Sequence, residues 1–108
     1  MTQIAGSLDS ALLRHAPTLA HSIQERVART PDRRAYQYPR SDGTWAVMTW
    51  RDVGEEMTAI AAGLLSLGLE PEDRVAIASS TRIQWVLADG AVMLAGGANT
   101  TIYPSTGE

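Results

Sequence analysis

The sequence predicts an α/β fold, a β-hairpin leading into parallel β-α-β units, and three observations carry that reading. Between Thr49 and Pro104, runs of helical periodicity alternate with short apolar runs of strand type. Asp42-Gly43 stands between two strand-like segments, a hairpin signal. Gly68 and Gly96-Gly97 follow the two longest helical runs, where helices commonly stop. Alternation of this kind needs crossover connections, and those give parallel pairing.

The elements follow in order. Residues 1–17 are small and polar with scattered Leu and end at Pro17, and are expected to be a loosely held arm. A first helix is expected from Thr18 to Ala28, with Leu19, Ile23 and Val27 on one face and Pro31 as its stop. The runs from Arg33 to Tyr38 and from Thr44 to Thr49 flank the hairpin turn. Thr49 is a good N-cap, and Asp52 three residues on completes a capping box with Asp in place of Glu. The helix it opens, Trp50 to Leu67, repeats Val53, Met57, Ile60, Ala61, Leu64 and Leu65 at helical spacing. Gly54 and Gly63 within it suggest a close helix-on-sheet contact, since an exposed Gly costs of order 1 kcal/mol against Ala. Pro71-Glu72-Asp73 turns the chain into the strand Arg74–Ala78. Ser79, Ser80 and Thr81 offer caps for a second helix, Arg82 to about Leu94. Ala98 to Tyr103 reads as the next strand. A hairpin feeding a parallel crossover should give one mixed sheet. Such a sheet wants both faces covered, and the helices present are too few to do it.

Composition narrows the class. At 44% hydrophobic and 19% charged the chain is globular in type. A net charge of −3 without a basic stripe gives no footprint for nucleic acid. The absence of cysteine excludes a disulfide scaffold, a thiolate nucleophile and a Cys-ligated metal. No apolar run reaches membrane-spanning length, and residues 1–10 do not read as a signal peptide. A cytoplasmic location is the expectation, with peripheral membrane association left open.

The chemistry-bearing residues have structural explanations. Asp52, Glu55 and Glu56 sit in a helix's first turn, where the macrodipole favours acids. Glu70, Glu72 and Asp73 form a solvated turn cluster. Asp89 has no second acid at i+3 or i+4, so it offers no carboxylate dyad and is expected to be exposed or bonded to backbone. His15 and His21 lack a third metal ligand at suitable spacing. Trp50 and Trp85 are expected to pack. Ser79-Ser80-Thr81 stands at the carboxyl edge of a strand, the usual ligand edge of a parallel sheet, but capping of the following helix by Ser80 or Thr81 is the expected role. Ser105-Thr106-Gly107-Glu108 is the one candidate phosphate loop. It is short, lacks a following Lys and ends in an acid, so it reads as a connection. No Gly-x-Gly-x-x-Gly or Walker sequence is present.

Several segments in fixed order carry a family resemblance: Thr49-Trp50-Arg51-Asp52, Gly63–Gly68, Glu72–Ile77, Thr81–Asp89 and Ala95-Gly96-Gly97-Ala98. Over residues 18–106 the chain resembles the AMP-forming acyl-CoA synthetases. Thr101-Ile102-Tyr103-Pro104-Ser105-Thr106 is most similar to their long-chain fatty-acid–CoA ligase branch. The resemblance implies that residues 18–108 are the N-terminal portion of the AMP-binding, adenylate-forming domain. It implies a parent enzyme that takes ATP, Mg²⁺, a fatty acid and coenzyme A to acyl-CoA, AMP and pyrophosphate through an acyl-adenylate. The family's catalytic, cofactor-binding and metal residues lie in other segments, so none is assigned here and the fragment alone is expected to be inactive. The resemblance further implies a possible homodimer through this region, by exchange of the amino-terminal helix. The alternative is a free-standing small α/β binding or assembly module without catalysis. A flavodoxin-like or dinucleotide-binding enzyme is disfavoured by the missing glycine fingerprint.

Overall fold

The computed structural model describes residues 18–102. The amino-terminal arm, His15, Tyr103 and the 105–108 loop considered above lie outside the described residues.

Helix α1 (Leu19–Arg29) starts where Thr18 Oγ1 accepts the His21 N–H at 3.0 Å. Ile23 of α1 packs against the core and Val27 lies over the next helix, but Leu19 is 62% exposed. The expected apolar face is therefore one turn shorter than its periodicity suggests. Strands β1 (Arg34–Pro39) and β2 (Trp45–Thr49) pair antiparallel, with Tyr36 opposite Met48 and Tyr38 opposite Ala46. Gly43 takes φ 87° in the turn between them, a left-handed conformation that glycine reaches without a Cβ penalty. Beside it the Asp42 carboxylate accepts from the Thr44 hydroxyl at 2.6 Å and the Thr44 N–H at 3.0 Å. Those two bonds, the hydroxyl's foremost, hold the Asp42 pKa below its ordinary value.

β2 runs directly into α2 (Trp50–Ser66), and Thr49 is both the last strand residue and the N-cap. The predicted capping box is present: Thr49 Oγ1 accepts the Asp52 N–H at 3.2 Å, and Asp52 Oδ2 accepts the Thr49 N–H at 3.0 Å. At the other end Leu69 N–H donates to Leu64 O and Gly68 N–H to Leu65 O, with Gly68 at φ 99°. That is a Schellman closure, and it uses the glycine singled out as the stop. Strands β3 (Arg74–Ala78) and β4 (Ala98–Ile102) pair in parallel, joined by the crossover helix α3 (Ile83–Leu94). α3 ends in the same closure, through Gly96 at φ 86° and Gly97 N–H donating to Val92 O. Below the strands, Glu72 N–H donates to Gly96 O and Ala98 N–H to Asp73 O, each at 2.8 Å. These bonds clasp the turn before β3 to the turn before β4.

The core is the seam between α2 and α3: Val53, Met57 and Ala61 against Leu87, Ala91 and Ala95. Full burial of Val53 is worth about 1.5–3 kcal/mol. Leu65, expected on this face, is 52% exposed because it lies beyond the seam's edge. Gly54 and Gly63 behave differently from each other. A Cβ on Gly54 would stand 2.8 Å from Val27 Cγ1, so this glycine admits helix α1 rather than a sheet, and Gly63 has nothing within 4 Å. The mixed sheet is also corrected: β1–β2 and β3–β4 form two separate two-stranded sheets. The helical seam, not strand pairing, joins hairpin and crossover. On the parallel pair, Val75, Ile77, Asn99 and Thr101 are the less exposed positions, while Arg74, Ala76, Ala78, Ala98, Thr100 and Ile102 are exposed. One alternating set of side chains is thus left open among the described residues, as the shortage of helices implied.

Candidate functional site at the carboxyl edge of the parallel strands

The loop after β3 carries Ser79, Ser80 and Thr81 to the start of α3, at the edge where parallel sheets meet their ligands. Capping was the expected role of these hydroxyls, and the structure overturns it. The N-cap position is Arg82, extended at φ −153° and ψ 173°, and no side chain bonds the helix's first turn. Ser79 Oγ donates instead to Ser80 O at 2.9 Å, and Ser80 Oγ accepts from Arg82 Nε at 3.2 Å. Ser79 and Ser80 thus bond within their own loop and not to the helix. The helix therefore begins with a guanidinium at the end where a cation is least favoured, and with first-turn N–H groups lacking a side-chain acceptor.

Facing this loop is the end of the hairpin. Tyr38 and Pro39 join Ser80, Thr81, Arg82, Ile83 and Gln84 around a groove of about 410 Å³. Hydroxyls, one guanidinium and one amide can orient a polar or anionic group there. Among the described residues the groove's lining includes no carboxylate, imidazole or thiol. The side chains that line it are suited to positioning a polar ligand. Sequence reasoning found the loop and missed Tyr38 and Pro39, because nothing local indicates that the hairpin tip reaches the helix start.

The remaining candidates separate. Asp89 is half-buried, and its carboxylate Oδ1 accepts from Asn99 Nδ2, which also donates to the Asp89 main-chain oxygen at 3.2 Å. This corrects the expectation of an exposed or backbone-bonded acid: its partner is a side chain on β4. Asn99 Oδ1, the other end of that amide, is buried without a hydrogen-bond partner among the described residues. Asp52 is committed to the capping box, and the two Thr49 bonds, the backbone one foremost, hold its pKa below the ordinary value. Glu55, Glu56, Glu70, Glu72 and Asp73 are exposed. Glu72 takes φ 68° in its turn, and Asp73 Oδ2 accepts the Glu70 N–H at 2.8 Å. His21 is half-buried, and among the described residues no three His, Cys, Asp or Glu side chains cluster as a metal site would require. Trp50 packs on the core with its ring 6.0 Å from that of Tyr36, and Trp85 is half-buried.

Comparison with known proteins gives this arrangement a context. The family described as AMP-binding enzyme matches residues 23–108. The long-chain-fatty-acid–CoA ligase FadD15 of Mycobacterium bovis is 34% identical over 88 residues, which are 82% of this chain and 14% of that protein. The chain thus spans about one seventh of that relative's length. Among solved structures, a fatty acid AMP ligase from Legionella pneumophila superposes with a TM-score of 0.76 at 24% identity, over 84% of this chain and 16% of that one. The N-terminal subdomain of NpsA from Klebsiella oxytoca does so with a TM-score of 0.73 at 24% identity, over 83% of this chain and 22% of that one. At such identities the two structures speak to the fold, which they share.

Proposed function

Because this chain belongs to the AMP-binding enzyme family, we propose that it forms the opening portion, residues 18–108, of the adenylate-forming domain of a long-chain fatty-acid–CoA ligase. The observation that carries the choice of substrate is the 34% identity to FadD15 over 82% of the chain. The reaction of the whole enzyme on this reading joins a fatty acid to coenzyme A, consuming ATP with Mg²⁺ and releasing AMP and pyrophosphate through an acyl-adenylate.

The described residues do not fit ATP or Mg²⁺. They offer no cluster of metal-ligating side chains, and the groove beside α3 has no loop of successive N–H groups followed by a Lys. Their role on this reading is to build the scaffold: a parallel strand pair braced by α2 and α3, with its carboxyl edge held open. Residues 1–17 are read as an arm outside the domain. We also assign this region a share in a homodimer contact, which the exposure of Trp45 and Val47 on the hairpin favours. A cytoplasmic enzyme with peripheral membrane association accords with the described helices, none of which is long and apolar enough to cross a membrane.

The test is pyrophosphate release, with ATP, Mg²⁺ and fatty acids of several lengths. The 108-residue chain is assayed beside the longest reading frame that contains it. Release by the longer product alone is the expected result. Release by the 108 residues would place the chemistry inside them and overturn the scaffold role. A longer product silent with every fatty acid would remove the ligase assignment, and an open frame ending at Glu108 would favour a binding module.

A further inference from the structure

We draw no further inference here: the strongest candidate, the apolar groove between α1 and α2 lined by Ile23, Val27, Gly54, Ala59, Ala62 and Leu94, carries nothing because nothing among the described residues shows what covers it.

Discussion

At the start of α2, Thr49 and Asp52 exchange hydrogen bonds, Trp50 N–H donates to Arg33 O at 3.0 Å, and Arg51 N–H donates to Pro31 O at 2.9 Å. The Arg51 guanidinium also bonds Asp32 at 2.9 Å, a pair exposed enough to add little. At the start of α3, Arg82 is the N-cap and no side chain satisfies the first turn. Both helices follow a strand, and both have hydroxyl residues near the junction. One start is fixed by several independent bonds, while the other faces the open edge of the sheet with none from a side chain. The difference is one of how firmly each helix start is tied to its surroundings. The tied start stands between the hairpin and the core and holds them together. The bare start stands at the carboxyl edge of the parallel strands, where Ser79, Ser80 and Arg82 bond only within their own loop among the described residues.

Breaking what the two helices share should have the largest effect. Met57 is 2% exposed in the seam that carries both helices, so Met57→Ala should cost about 2–5 kcal/mol, read as a lower urea midpoint at unchanged slope. An effect below 1 kcal/mol by that measurement would mean the seam is not the principal core. Removing the tie comes next. Thr49→Ala should cost about 1 kcal/mol, whereas Thr81→Ala should stay within about 0.5 kcal/mol. Equal losses in paired urea titrations would erase the contrast between the two starts. Supplying the missing tie is the converse experiment. Arg82→Asp places a capping carboxylate in an extended N-cap and removes an unfavourable cation, and should raise stability by about 0.5–1 kcal/mol. A loss in thermal unfolding would show that the Arg82–Ser80 bond matters more than the absent cap.

The smallest effect is the most diagnostic. Folding lowers the pKa of Asp52 below 3.8, through its Thr49 bonds. A carboxyl group depressed in the folded state stabilises the protein above its unfolded pKa, and that contribution fades as pH falls through the folded value. The stability gap between the parent and Asp52→Asn should therefore be constant near neutrality and narrow below about pH 4. A gap that persists to pH 2 would mean the charge of Asp52 contributes nothing to the cap.

Most of the element order was legible because its signals are local. The Thr49–Asp52 spacing, Asp42-Gly43, and the glycines at 68 and 96 each act through neighbours within a few residues, and each is found in its expected role. The errors share a different cause. Periodicity gives the direction of an apolar stripe but not where the neighbouring helix ends, so Leu19 and Leu65 were placed inside and lie outside. Ser79, Ser80 and Thr81 were plausible caps, but α3 begins one residue past them and Arg82 takes the position. The separate sheets, the Asn99–Asp89 bond and the approach of Tyr38 to the 80–84 loop depend on tertiary placement that no short window of sequence contains. The fold was readable to the extent that it is local, and the groove only on its α3 side.

The clasp below the parallel strands bears on the order of assembly. Its bonds, Glu72 to Gly96 and Asp73 to Ala98, are made by main-chain atoms, and every pair in the β3–β4 register is 24 positions apart, from Arg74 with Ala98 to Ala78 with Ile102. Parallel pairing is slow where distant segments must meet, but here the crossover closes over a short stretch, and lengthening such a loop twofold would add only about 0.6 kcal/mol. Substitutions at Asp73 or Ala98 leave the donors and acceptors of the clasp in place, whereas Gly96 at φ 86° and Glu72 at φ 68° hold backbone conformations that few side chains adopt. In a polypeptide made from its amino end, every residue of this pairing has been made once Ile102 is added.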